Sequence, residues 1–338
     1  MLDAWTLEDG RQPPDAVAER LVAWLAEARR TLDLALYDVR LPGAVGDAVA
    51  AALHGAIGRG VRLRIAYNDD VEDPAHPDTR PFEPPPPSTQ PHLLEQLGAE
   101  LRGIPGWRDL MHHKFAVRDG AAVWTGSANW TLDSWSRQEN VLATIDDAGV
   151  AHAYARVFGE LWDGGGIGSS GSFDTPGAVR PWFCPGRGPE LSHRIATRIG
   201  AARRRVRIAS PLLTSGPVLA AVNEAEIDLS GVCDVTQVRQ VFRQWEHNPG
   251  SHWKIPLLRE ALLRFTGKPS TPYAPGALHD YMHAKVTVAD DTVFLGSFNL
   301  SRSGEMNAEN VLEIADPALA ERLAAWIDGL RRRYTEAP

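Results

Sequence analysis

The chain has 338 residues, 43% of them apolar and 23% charged, with a net charge of −8 and a pI of about 5.8. That length suits two domains or one large pseudo-symmetric unit, and the composition excludes disordered and fibrous classes. The acidic balance counts against a broad duplex-binding face, although a narrow basic groove depends on the local field alone. Cys184 and Cys233 are the only cysteines. Two are too few for a disulfide framework and fit a reducing compartment.

Residues 1–10 carry neither a basic segment nor an apolar core, so no signal peptide is expected there. The most apolar stretch, 44–57, is interrupted by Asp47 and His54, so no membrane span is expected either. The expected location is the cytoplasm, with transient membrane contact left open.

Val17, Leu21, Leu25 and Ala28 recur at helical spacing and predict a helix over 17–30. A strand over 32–37, a helix over 41–59 closed at Gly60, and an alternating strand over 61–67 follow. This strand–helix–strand unit predicts parallel pairing. Residues 69–91 are rich in proline, including Pro84 to Pro87. They read as a stiff surface loop more than as a partner-docking segment. Strands over 114–117 and 122–124 flank a turn at Asp119-Gly120, before a strand over 140–145 and a helix over 150–162. The Gly-, Ser- and Pro-dense stretch 164–189 reads as a linker between a first half (1–163) and a second (190–338).

The second half repeats the plan. Helices are expected over 191–202 and 218–224, with strands at 206–209, 286–288, 293–295 and 311–314. A closing helix over 317–333 has proline in its first turn. The segment 231–278 has no counterpart of equal kind and is read as an insertion with helices over 235–246 and 255–265. It holds Gln237, Gln240, Gln244, Trp245, His247, His252, Trp253 and Lys254. Either it is a helical elaboration or it overhangs a site as a lid. Arg203, Arg204, Arg205 and Arg207 form the densest basic patch, read as a helix end that complements the dipole. Trp124, Trp130 and Trp135 read as core more than as a stacking platform for bases.

One pattern occurs twice. His112-x-Lys114 with Asp119, then Gly126-Ser127-x-Asn129, then Glu139-Asn140 is matched by His283-x-Lys285 with Asp290, Gly296-Ser297-x-Asn299 and Glu309-Asn310. His to Asp is seven residues in both copies, and the glutamates trail their histidines by 27 and 26. A three-part pattern repeated in register is specific where a lone His-x-Lys is not. Its chemistry is coherent. Lysine charge with Ser and Asn donors can cradle the non-bridging oxygens of a phosphodiester as charge develops. One neutral histidine can attack phosphorus while a second, protonated, supplies the leaving oxygen with its proton. A glutamate behind each imidazole would hold the required tautomer. A zinc site at His112 and His113 is disfavoured, because neighbours on a strand face opposite ways.

The doubled motif resembles the HxKxxxxD and GSxN signature of the phospholipase D superfamily, one copy per half over nearly the whole chain. The resemblance implies an α/β fold of two pseudo-symmetric halves with mixed sheets and one shared active site at their interface. It implies His112, Lys114, His283 and Lys285 as catalytic groups. Ser127, Asn129, Ser297 and Asn299 would bind phosphate, and Glu139 and Glu309 would orient the histidines. His112 is the expected nucleophile, with His283 as acid. No metal or cofactor is called for, and the active site requires no oligomer. Asp119 and Asp290 are read as turn-forming supports, because an odd offset along a strand puts them on the opposite side. The expected substrate is a phospholipid, with a nucleic-acid phosphodiester as the alternative. Asn307-Ala308-Glu309-Asn310 is similar to the nuclease-like branches, whereas Arg302-Ser303 is similar to the cardiolipin-synthase branch.

Overall fold

Alternating apolar strands and amphipathic helices condense into two layered halves in the computed structural model, which describes residues 1–72, 94–107, 109–168, 177–272, 274 and 277–338. In chain order the first half comprises β1 (Leu2–Leu7), α1 (Pro14–Ala26), β2 (Thr31–Leu36), β3 (Val39–Arg40), α2 (Gly43–Gly58), β4 (Arg62–Glu72), β5 (Glu100–Trp107), β6 (Lys114–Arg118), β7 (Ala122–Gly126), β8 (Trp130–Thr131), α3 (Leu132–Ser136), β9 (Asn140–Asp146) and α4 (Ala148–Gly164). The second comprises β10 (Val179–Phe183), α5 (Gly188–Ala201), β11 (Arg205–Ala209), α6 (Gly216–Glu224), β12 (Asp228–Asp234), α7 (Val235–Glu246), α8 (Pro249–His252), α9 (Ile255–Leu262), β13 (Phe265–Lys268), β14 (Val286–Ala289), β15 (Thr292–Gly296), α10 (Arg302–Met306), β16 (Asn310–Ala315) and α11 (Pro317–Arg333).

The two large sheets have the orders β1-β9-β7-β6-β2-β4-β5 and β10-β16-β15-β14-β11-β12-β13, so they match strand for strand. In each, three neighbouring strands are parallel (β2, β4, β5 and β11, β12, β13) and the rest antiparallel. Helix α4 starts at an Asp147 cap accepting from Val150 N at 2.9 Å and stops at Gly165, whose φ of +68° only glycine adopts without cost. Helix α11 starts at Asp316, which accepts from Ala318 N and Leu319 N. These two helices bury their apolar faces in one core drawn from both halves, including Phe115, Tyr154, Phe158, Val288, Leu323 and Ile327. Separate cores lie under α1 and α2 and under α5, α6, α7 and α9. Each half is therefore helix on sheet on helix, and the shared core fixes one half against the other.

Several boundaries differ from expectation. Within 164–189, Val179–Phe183 is an edge strand and Gly188 opens α5, while 169–176 lie outside the described residues. The Gly, Ser and Pro around it, with Pro181 inside it, mask an edge strand whose stability comes from pairing with β16. Most of 69–91 likewise lies outside the described residues. The inserted segment 231–278 contains parts of the regular sheet, because β12 and β13 occupy the places of β4 and β5. Phe265 begins β13 instead of ending a helix. The helices α7 to α9 form the crossover between these strands. Leu257 O accepts from Asn223 Nδ2 at the end of α6, beside the start of β12 and away from the C-terminal strand ends. Trp245, half-buried, and Trp253, 60% exposed, flank Lys254 at 5.8 and 5.7 Å in this region. Of the two readings of this segment, helical elaboration or lid, these contacts fit the first.

Trp124, Trp130 and Trp135 are buried. Arg204 pairs with Asp291, Arg205 with Glu321 at 2.6 Å, and Arg207 with Asp228 and Asp328 at 2.7 Å each. Three of the four arginines of that run are spent on nearby carboxylates. Cys184 and Cys233 are buried free thiols. Among the described residues no helix is long and apolar enough to cross a membrane.

Candidate active site

In each half the hairpin strand that follows the motif histidine pairs with the first of the three parallel strands, β2 or β11. Leu36 sits opposite Lys114 and Leu32 opposite Arg118. The histidine thus emerges at the C-terminal end of β2, and the aspartate is carried to the other end. Asp119, at φ +55°, accepts from Arg29 N (3.0 Å), Arg30 N (2.7 Å) and Thr31 N (2.9 Å). Asp290, at φ +50°, accepts from Arg203 N (2.8 Å), Arg204 N (2.9 Å) and Arg205 N (3.1 Å). Both tie a tight turn to the start of β2 or β11, remote from the imidazoles.

The two motif ends meet across the boundary between halves. His112 N donates to Ala308 O at 3.0 Å and His283 N to Glu139 O at 3.1 Å. Bridges join Met111 to Ala308 and Glu139 to Met282. The residue before each histidine is held by its own half: Met111 N donates to Asn68 Oδ1 (2.9 Å) and Met282 N to Asp234 Oδ2 (3.0 Å). Each ring then finds its partner in the opposite half. His112 Nδ1 lies 2.7 Å from Glu309 Oε1, and His283 Nδ1 lies 3.1 Å from Asn140 Oδ1. With Nδ1 so engaged, Nε2 of each ring is left for chemistry. Lys114 Nζ donates to His112 O at 2.7 Å and Lys285 Nζ to His283 O at 2.6 Å. Tyr37 lies edge-on to His112, with ring centroids 4.6 Å apart, and 4.8 Å from Lys114 Nζ.

The Glu139 carboxylate therefore does not bond a motif imidazole, contrary to expectation; only its main-chain oxygen meets His283. The sheet register explains why. Gly126 faces Leu142, whereas Gly296 faces Val311. Asn140 is thus the counterpart of Glu309, and Glu139 of Ala308. The recurring Glu-Asn pair is out of step by one residue. The Glu139 carboxylate binds elsewhere: Lys268 Nζ at 2.7 Å, the Tyr334 hydroxyl, and Asp9 N at 3.3 Å.

The serines differ from expectation as well. Ser127 and Ser297 are fully buried. Their hydroxyls donate to Asn140 Oδ1 at 2.8 Å and Glu309 Oε2 at 2.5 Å. A hydroxyl has one proton to donate, so both serines brace the groups behind the histidines and have none left for phosphate. Asn129 Oδ1 is buried without a partner, and Asn299 is half-buried. These two amides remain to meet a ligand. His113 is absorbed by structure, with Nδ1 3.2 Å from Asn310 Oδ1. Its Nδ1 and that of His112 reach different partners. Among the described residues no group of three or more His, Cys, Asp or Glu is placed to hold a metal ion.

Burial dominates the electrostatics. It pushes His112 and His283 well below the usual histidine range, assisted by the lysine charges. Both rings thus rest neutral. Burial also lowers Lys285 well below the usual lysine range and Lys114 to about 7. Glu309 is raised to about 7 by burial, against the opposing pull of Lys114. Lysines held below their usual range by burial would regain their charge beside an anionic phosphate.

Sequence reasoning missed Tyr37, Asn68, Asn140, Asp234, Lys268 and Tyr334. Asn140 had a faint signal in the unequal spacing of 27 and 26, and the others had none because their partners are distant in the chain.

The doubled fold sets two His–Lys pairs at the boundary between halves, each ring held by a residue of the opposite half. Residues 21–162 and 195–331 match the family described as "Cardiolipin synthase, PLD-like domain". The chain belongs to the phospholipase D superfamily. It is 33% identical over 150 residues to a mitochondrial cardiolipin hydrolase of Xenopus laevis, covering 44% of this chain and 62% of that one. It is 34% identical over 152 residues to the Homo sapiens protein of the same name, covering 44% and 52%. The match thus spans less than two thirds of these relatives' own length. Phosphatidylserine synthase of Haemophilus influenzae Rd KW20 has a similar fold, with a TM-score of 0.63 at 13% identity over 98% of this chain and 86% of that one. Polyphosphate kinase of Porphyromonas gingivalis gives a TM-score of 0.61 at 14% identity over 98% and 47%.

Proposed function

We propose that the protein is a metal-independent phosphodiesterase acting on a phospholipid, by hydrolysis or headgroup transfer through a phosphohistidine intermediate. The observation that carries this reading is the reciprocal bracing of His112 by Glu309 and of His283 by Asn140 across the halves. With the phosphate anion bound beside it, His283 takes up a proton and enters the step as the imidazolium; His112 Nε2 attacks phosphorus, and the alcohol leaves with the proton of His283 Nε2. His283, now neutral, takes a proton from water or an acceptor alcohol, whose oxygen displaces His112. Lys114 and Lys285, with Asn129 and Asn299, hold the non-bridging oxygens.

The unequal braces support these roles. A ring whose Nε2 bonds phosphorus becomes cationic, and the Glu309 carboxylate at Nδ1 stabilises that state. The amide of Asn140 stabilises a cationic His283 less, which favours release of its proton. The phospholipid substrate is supported by the family match, by the names of the relatives and by the acidic net charge. The test presents the purified protein, in EDTA, with phospholipid micelles, single-stranded DNA, duplex DNA and RNA side by side. Release of phosphatidate or a headgroup-exchanged lipid is expected. Cleavage of nucleic acid alone would replace the phospholipid reading with the nuclease one.

A further inference from the structure

The ion pair behind the second histidine has no equivalent behind the first. Glu139 corresponds to Ala308, since each accepts the main-chain N–H of the opposite motif histidine. Lys268 corresponds to Ile104: Asn68 faces Ile104 and Asp234 faces Lys268, and both Asn68 and Asp234 hold the residue before a histidine. The fold thus accepts two apolar residues at these places. In the second it carries a lysine 2% exposed and a glutamate fully buried, a costly arrangement if it only filled space.

The segment after α11 completes the cluster. The Tyr334 hydroxyl donates to Glu139 Oε1. Gly267 N donates to Glu336 O at 2.7 Å, and Arg239 pairs with Glu336 at 2.9 Å. Lys268 Nζ reaches Glu139 Oε2 at 2.7 Å, Arg137 O at 3.1 Å and Asp9 Oδ2 at 3.3 Å. Arg333 Nη2 donates to Asp9 O at 2.7 Å, and Asp9 N donates back to Glu139 Oε1. Residue 139 holds His283 through its N–H and residue 140 through its ring. The imidazole of His112 is braced by a carboxylate directly. That of His283 has the neutral amide of Asn140, whose hold depends on where the main chain of 139–140 lies, and a backbone hydrogen bond at Ser127.

We propose that Tyr334, acting with Lys268 through Glu139, is a positioning residue for His283, so that the segment following α11 sets the proton-donating step. This rests on the reading of His283 as the acid. The hydroxyl contacts no reacting atom. It fixes the Glu139 side chain, hence residues 139–140, hence the direction of His283 Nε2.

Tyr334→Phe removes one oxygen and tests the idea. Turnover is compared on phosphatidylcholine and phosphatidyl-p-nitrophenol in the same micelles, since the nitrophenolate leaves without a proton. The variant should lose on the order of tenfold in kcat on phosphatidylcholine, the scale of a small misplacement of a reacting group. It should lose less than twofold on the nitrophenyl ester, with KM unchanged for both. Equal losses on the two lipids, or none, would overturn the proposal. His283→Ala is the control. If it does not separate the two substrates, or if neither lipid is turned over, the acid assignment or the phospholipid reading has failed instead. The proposal is then judged on [15N]histidine-labelled protein, with His283 assigned from its substitution. The His283 Nδ1–H resonance should broaden in Tyr334→Phe while that of His112 stays sharp, and an unchanged His283 signal would refute it.

Discussion

Asn140 and Glu309 occupy the same place in the two halves, each bonded to a buried serine of its own half and to the imidazole of the other. An amide and a carboxylate in symmetric positions make a symmetric fold chemically directional. Each half also lacks the ring partner of its own histidine, so neither half holds a complete site.

His112→Ala and His283→Ala should therefore each reduce turnover by about 1,000-fold or more, as when one member of an interdependent catalytic set is removed. A steady-state assay in EDTA checks both this and metal independence. Wild-type rates should be unchanged by the chelator, and a loss restored by zinc or magnesium would contradict the mechanism.

Asn140→Ala should lower kcat by about 10- to 100-fold, corresponding to the ~1–3 kcal/mol that a lost buried hydrogen bond costs. Glu309→Gln preserves an acceptor for His112 but removes the charge. Its effect should fall on formation of the phosphoenzyme, read in a rapid alkaline quench, because a phosphorus–nitrogen bond to histidine is acid-labile. If Asn140→Ala retained full activity, the bracing of His283 would be mistaken.

The pH profile follows from Lys114, lowered to about 7 by burial. Below that value the free enzyme presents a charged ammonium to phosphate, and above it the charge is lost. kcat/KM, which reports the free enzyme, should fall as pH rises through about 7. kcat at saturating substrate should fall only at higher pH, because a bound phosphate keeps the lysine protonated. A kcat/KM flat from pH 6 to 9 would exclude this.

Asp119→Ala and Asp290→Ala should cost stability and spare the chemistry. Each removes an acceptor of three N–H groups and leaves a residue poorly suited to positive φ. The expected loss is about 1–3 kcal/mol each by denaturant unfolding, with unchanged activity per folded molecule. Burial works against ionisation of Asp119, but the amides of Thr31, Arg30 and Arg29 outweigh it and hold its carboxyl below the usual range. That contribution is present at neutral pH and disappears as pH falls through the acid range. Asp119→Asn, still able to accept one bond and to adopt positive φ, should lose about half as much.

The doubled motif was legible because catalytic residue types are rare and their spacing is set by local hairpins. The helices of 148–164 and 317–333 were legible because their apolar faces repeat at helical period. The edge strands Leu2–Leu7 and Val179–Phe183 were not, because an edge strand is stabilised by the partner it pairs with and carries little pattern of its own.

The amino-acid sequence by itself determined the family, the two-half plan and the doubled motif that carries His112, Lys114, His283 and Lys285. All of these reside in residue type and short spacing. Only the tertiary structure decided what stands behind each histidine. That depends on register between strands far apart in the chain, and a shift of one residue exchanges Glu139 for Asn140. It also decided that Ser127 and Ser297 brace the site from within, and that Lys268 and Tyr334 meet at Glu139. Partners separated by more than a hundred residues become neighbours only once the shared core has fixed one half upon the other.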